Sequence, residues 1–179
     1  MTIIPKVVFK LREGDNTVLG NGCSIGGRWK NISTEDIFPN KKVLIFSLPG
    51  AFTPTCSSLQ LPEYEKMYEN LIDYVDEIYC ISVNDSFVMN AWFKDLKIKK
   101  IKPIADGEGK FTDGMSMLVN KPAQGFGMRS WRYAALIYNC KIIKMFIEKG
   151  KNSQSEDNDP YKISSVNTVY DYLKNHNYA

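Results

Sequence analysis

Apolar residues along this chain come in short runs between polar turns, and the spacing inside each run differs from one to the next. Val43-Leu44-Ile45-Phe46-Ser47-Leu48 is almost continuously apolar, follows Lys41-Lys42 and stops at Pro49-Gly50. That pattern predicts a central strand buried on both faces. Thr53 to about Asp73 reads as helix, with Pro62 forcing a kink or a restart because its ring removes an N–H donor. Glu77 to Val83 reads as a second strand. Asn84-Asp85-Ser86 then offers capping oxygens, and Val88, Met89, Trp92, Phe93 and Leu96 recur at helical spacing. Lys102 to Ala105 predicts a strand ended by Asp106-Gly107. Arg132 to Tyr138 and Lys141 to Ile147 flank Asn139-Cys140, a hairpin tip. Beyond a polar loop from Gly150 to Pro160, Ser165 caps a last amphipathic helix carrying Val166, Val169, Tyr170 and Leu173. Residues 1–42 read as short strands and turns, broken at Gly14-Asp15, Gly20-Asn21-Gly22 and Gly26-Gly27. Strands and helices alternate first, and a hairpin and a helix follow. An α/β layered domain with a mixed central sheet is the economical solution.

With no internal repeat or low-complexity linker, the 179 residues are expected to form a single domain, 1–179. The net charge of +3 is too small to imply nucleic acid. The densest basic run, Lys94, Lys97, Lys99, Lys100 and Lys102, alternates with aliphatics rather than aromatics and reads as a solvated edge. No apolar run approaches the roughly 18–20 residues of a membrane span, and the first residues lack a signal-peptide or transit-peptide pattern. Four cysteines, at 23, 56, 80 and 140, form no CxxC and no metal-ligand spacing, which suits a reducing intracellular compartment. The sole histidine, His176, is the fourth residue from the C-terminal end of the sequence. Ser-His-Asp and Cys-His catalysis and His-rich zinc sites are therefore not expected. Any nucleophile must be activated by something other than an imidazole.

Pro49-Gly50-Ala51-Phe52-Thr53-Pro54-Thr55-Cys56 joins the central strand to the first helix. A helix starting near Thr53 or Pro54 puts Cys56 in its first turn, where free N–H groups and the helix dipole favour a thiolate. Thr53, one turn earlier, is placed to bond both the sulfur and an incoming oxygen. Pro49 and Pro54 lack N–H donors and would limit water near the sulfur. Spacing alone fits a buried packing cysteine equally well.

Pro49-x-x-x-Thr53-x-x-Cys56 matches the peroxidatic motif of the peroxiredoxins, and the stretch Phe46 to Cys56 resembles their type-five (plant type II) branch. Val75-Asp76-Glu77-Ile78, Ser82-Val83-Asn84-Asp85 with Val88-Met89-Asn90-Ala91-Trp92, Ala105-Asp106-Gly107 and Arg129-Ser130-Trp131-Arg132-Tyr133 extend the resemblance over most of the chain. The resemblance implies a thioredoxin-like fold, a mixed central sheet flanked by helices, and a thiol-dependent peroxidase acting on hydrogen peroxide and alkyl hydroperoxides. Cys56 would be the peroxidatic cysteine, Thr53 would hydrogen-bond the peroxide, Pro49 would shield the sulfur, and Arg132 would be the active-site arginine, with Arg129 a substitute. No cofactor or metal is implied.

Gly150 to Ser165 contains no cysteine to resolve a Cys56 sulfenic acid, Cys80 falls in a strand expected in the core, and Cys23 in a Gly-rich turn reads as incidental. The expected enzyme is therefore of the one-cysteine kind, recycled by glutathione, glutaredoxin or thioredoxin in the cytoplasm, a plastid or a mitochondrion. The resemblance also implies a homodimer, with Phe52, Phe87, Phe126 and Trp131 as exposed apolar candidates. Leu48, Phe52 and Phe126 suggest an apolar mouth. The competing readings are a thiol–disulfide oxidoreductase, for which Ser57-Ser58-Leu59 supplies no second cysteine, and a non-enzymatic redox sensor or holdase on the same fold.

Overall fold

The computed structural model describes residues 2–14, 17–18, 24–151 and 159–176. Cys23 and most of the polar loop after Gly150 lie outside the described residues. The N-terminal region pairs β1 (Val8–Glu13) with β4 (Arg28–Ser33), and a smaller ladder joins β2 (Thr17–Val18) to β3 (Ser24–Ile25). A short helix, α1 (Thr34–Ile37), leads to the central strand β5 (Lys42–Leu48). A π-helical turn (Cys56–Gln60), α2 (Leu61–Lys66) and α3 (Tyr68–Ile72) follow, then β6 (Glu77–Ser82), α4 (Ser86–Asp95) and β7 (Lys102–Ala105). The chain continues through α5 (Lys110–Gly114), β8 (Leu118–Lys121) and β9 (Gly127–Ser130). It closes with β10 (Tyr133–Tyr138), β11 (Lys141–Ile147) and α6 (Val166–Asn175).

The main sheet has five strands in the order β11-β10-β5-β6-β7. β5, β6 and β7 run parallel, while β10 is antiparallel to both β5 and β11. This is the mixed sheet the alternation of elements predicts. β5 sits at its centre, and Val43 to Leu48 are fully buried. Successive side chains of a strand point to opposite faces, so Leu44, Phe46 and Leu48 enter one core with Leu61, Tyr64 and Trp92, and Val43 and Ile45 enter the other with Phe38 and Phe111. Each such burial contributes about 1.5–3 kcal/mol. Phe46 and Tyr64 stack at 4.0 Å between ring centres, which fastens α2 over the end of β5.

The caps follow the local chemistry. The Asp85 carboxylate accepts from Val88 N–H at 3.0 Å to start α4, and Ser165 Oγ accepts from Thr168 N–H at 3.4 Å to start α6. Asn139 and Cys140 both take positive φ, the two-residue turn whose twist suits a tight hairpin. The basic run is a solvated edge: the Glu65 carboxylate gathers the N–H groups of Lys99, Lys100 and Ile101, and Lys100 pairs with Glu69.

Two expectations need correction. The helix from Thr53 to about Asp73 restarts at Pro62 as expected, but its stretch from Cys56 to Gln60 is π-wound, and the chain breaks again at Met67, whose backbone (φ −88°, ψ 3°) leaves the helical region. Trp131 is buried, with Nε1 donating to Glu148 O at 2.9 Å, so it offers no exposed surface; Leu48 likewise belongs to the core and not to a mouth. Phe52 and Phe87 are exposed as expected.

Candidate active site

β5 delivers the chain to Pro49-Gly50, and Phe52 then adopts a left-handed φ of 61°. That conformation is costly for a bulky residue and persists only where the surroundings impose it. Here Ala51 N–H donates to Asn84 Oδ1 at 3.0 Å, and the same oxygen accepts from Ser82 Oγ at 2.7 Å, so the end of β6 pins the loop. Thr53 Oγ1 donates to Gly50 O at 2.8 Å, and Ser57 N–H reaches Thr53 O at 3.0 Å to begin the helix. Cys56 therefore lies in the first turn. It also opens the π-helical turn, in which Leu61 N–H bonds Cys56 O, a wide winding frequent at functional sites. Trp92 Nε1 donates to Ser57 Oγ at 3.0 Å and ties the turn to α4.

The residue entering β10 meets this turn from the neighbouring strand. Arg132 is 1% exposed, and its Nη2 donates to the wholly buried Cys56 Sγ at 3.6 Å. The same nitrogen donates to Asp159 Oδ1 at 2.5 Å, while Nη1 donates to Gln60 Oε1. The Tyr161 ring stands 5.8 Å from the guanidinium. Burial disfavours the charge on Arg132, but the sulfur and the Asp159 carboxylate outweigh it and hold its pKa above the usual arginine value. Arg132 Nε and Gln60 Nε2 are buried and find no hydrogen-bond partner among the described residues. A cleft of about 450 Å³ is lined by Pro49, Thr53, Pro54, Lys121, Phe126 and Asp159 among others, so the carboxylate that Arg132 holds stands on its wall while the sulfur itself is buried behind it.

The four residues singled out in the sequence thus share one place: Cys56 and Arg132 in contact, Thr53 and Pro49 on the cleft wall. Arg129 takes a different position. Its Nη1 donates to Val83 O at 2.9 Å and its Nε to Phe126 O at 3.0 Å, bracing the loop that forms the far wall. The Thr53 hydroxyl spends its hydrogen on Gly50 rather than on the sulfur, which leaves its lone pairs as acceptors. Burial pushes the Cys80 thiol well above its ordinary pKa, the nearby Cys56 adds to this, and Arg132 offsets only part of it. Gln60 and Asp159 carry no mark in the sequence reading. Gln60 follows Cys56 by four residues, a spacing that returns to the same helix face. Asp159 stands before Pro160 in a loop with nothing to tie it to a cleft.

Known proteins carry the same framework. The Redoxin family profile matches residues 24–162. A peroxiredoxin of Synechocystis sp. is 49% identical over 174 residues, covering 96% of this chain and 89% of that protein. The chain belongs to the peroxiredoxins. As a peroxiredoxin it is a thiol-dependent peroxidase. The hybrid peroxiredoxin hyPrx5 of Haemophilus influenzae is 47% identical over 171 residues; the match covers 95% of this chain but spans 64% of that longer protein. Among solved structures, the antioxidant protein of Plasmodium falciparum, described as a 1-Cys peroxiredoxin, superposes with a TM-score of 0.87 at 43% identity. That superposition covers 98% of this chain and 99% of the other, so the peroxiredoxin form of the thioredoxin-like fold extends over nearly the whole sequence.

Proposed function

We propose that this peroxiredoxin reduces hydrogen peroxide and alkyl hydroperoxides through a sulfenic acid on Cys56. The observation that carries the reading is the buried Arg132 guanidinium 3.6 Å from the Cys56 sulfur, with its carboxylate partner Asp159 on the wall of a cleft. The thiolate attacks the outer peroxide oxygen, an S–O bond forms, and the O–O bond breaks. The electron pair leaves on the inner oxygen, which takes up a proton and departs as water or alcohol. Arg132, fixed by Gln60 and Asp159, stabilises the charge that builds on that oxygen without having to reorganise. Thr53 accepts the peroxide O–H with its free lone pairs, and Pro49 and Pro54 keep N–H-bound water away from the sulfur.

The sulfenic acid is recovered by an external thiol, which displaces water to give a mixed disulfide that a second thiol then opens. Glutathione, with glutaredoxin or thioredoxin, fits a chain whose Cys80 is buried and held as a thiol. The protein works in a reducing intracellular compartment as a homodimer of single-domain subunits, needing no metal or cofactor. Stopped-flow oxidation of the reduced protein by a hydroperoxide tests the chemistry. Fast oxidation is expected in the wild type, none at position 56 in Cys56→Ser, and a slowing of roughly 100-fold or more in Arg132→Ala. A wild-type thiol that oxidises no faster than free cysteine overturns the peroxidase and leaves a redox sensor or holdase.

A further inference from the structure

Cys56 and Asp159 share one nitrogen of Arg132. Nη2 lies 3.6 Å from the sulfur and 2.5 Å from the carboxylate oxygen, so these two acceptors stand no more than about 6 Å apart, close enough for two negative charges to compete for one cation. We propose that Asp159 is a positioning residue that meters the positive charge felt by Cys56, holding the guanidinium in place while cancelling part of its field. The proposal rests on the reading of Cys56 as the peroxidatic thiol.

Position and exposure support it. Arg132 already has a neutral anchor in Gln60, whose amide oxygen accepts from Nη1 inside the protein, so orientation alone does not require a carboxylate. A buried cation facing a single thiolate would favour the thiolate more strongly than one shared with a second anion. Asp159 is also partly open, with 30% of its side chain exposed, and it lines the cleft by which a peroxide arrives. Its charge acts at both the sulfur and the entrance.

Cys80, on β6, is buried and stays a thiol. Tyr161 faces the guanidinium with its ring and donates its hydroxyl to Glu63 at 2.8 Å, and burial together with Glu63 keeps it protonated. Tyr64, in the same core, donates to Ser164 O at 2.7 Å, and burial keeps it neutral. Lys121, which also lines the cleft, stands 4.7 Å from the Trp131 ring. Among the described residues, Asp159 is thus the carboxylate in direct contact with the cation that Cys56 uses.

Asp159→Asn keeps the size and the oxygen acceptor but removes the charge. The Cys56 thiol pKa, read from the pH dependence of iodoacetamide alkylation at that residue by peptide mass spectrometry, is expected to fall by about one unit. Peroxide oxidation measured one unit below the wild-type thiol pKa should rise several-fold. At high pH the two proteins should converge, or the variant run slightly slower, since nucleophilicity falls with basicity. Asp159→Glu, which keeps the charge, should retain the wild-type pKa. A thiol pKa unchanged or raised in Asp159→Asn overturns the proposal, and so does an equal fall in Asp159→Glu, which would assign the effect to geometry. Alkylation needs no peroxide, so a shift in pKa without fast peroxide oxidation would fail the peroxidase reading and spare this one.

Discussion

Arg132 acts through its shape as much as through its charge. Nη1 reaches Gln60 while Nη2 reaches both Cys56 and Asp159, a planar fork that a lysine ammonium does not reproduce. Arg132→Lys is therefore expected to slow peroxide oxidation by about tenfold or more despite keeping a cation, as single-turnover stopped flow would register. Cys80 is the converse. It is buried among apolar neighbours with its thiol protonated, so Cys80→Ala should leave the first turnover unchanged and cost roughly 1–2 kcal/mol of stability in urea denaturation. At this scale the strand–turn–helix spacing places Cys56 and Thr53 on one turn and Pro49 at the end of the strand, but that spacing fits a packing cysteine equally well, and the family motif is what sets these residues apart. Arg132 needed the family motif, since an arginine at a strand entrance reads by itself as a surface ion pair. Asp159 had no local signal: its contact spans 27 residues and depends on tertiary closure.

At the level of elements, one carboxylate fastens the segment that carries Asp159 to the sheet. Glu148, one residue past β11, accepts from Lys162 N–H at 2.7 Å and from Ser164 N–H and Oγ at 2.8 and 2.9 Å. Burial raises its pKa, but these bonds together outweigh burial and hold it below the usual glutamate value. A depressed carboxylate contributes stability above its unfolded pKa and loses that contribution as the pH falls through the folded one. Hydrogen exchange at Lys162 and Ser164 should accordingly speed up, relative to intrinsic rates, as the pH drops below about 4. Glu148→Gln should show the same loosening at pH 7. The sequence marked most elements here, but not the π-turn or the break at Met67, which change hydrogen-bond register without changing residue type. It also missed α5 and the β8–β9 ladder, because four- and five-residue elements offer too few positions for a period to be read.

For the molecule as a whole, the order of strands β11-β10-β5-β6-β7 brings the C-terminal end of β5 beside the N-terminal end of β10, and the site forms where the two directions meet. The apolar runs announced that sheet because β5 is buried on both faces, whereas which strand lies next to which depends on long-range pairing the runs do not encode. Phe52, in its left-handed loop between Pro49 and Thr53, is an exposed apolar side chain close in sequence to the cleft wall. If the homodimer forms through this face, sedimentation velocity at micromolar concentration should show twice the mass of the chain. Phe52→Asp should return it to the monomer without unfolding it.

The antiparallel pairing of β10 with β5 also sets a ruler inside the protein. Arg132 marks the end of β10 nearest Cys56, and Cys140 sits at the turn beyond the other end, after six residues or roughly 17 Å of strand. A disulfide needs its two Cα atoms within about 7 Å. The folded chain is therefore its own insulator: a bond between Cys56 and Cys140 of one molecule requires the sheet to come apart. Any such linkage found after oxidation would report crossing between two copies, visible as a doubled band on non-reducing gels.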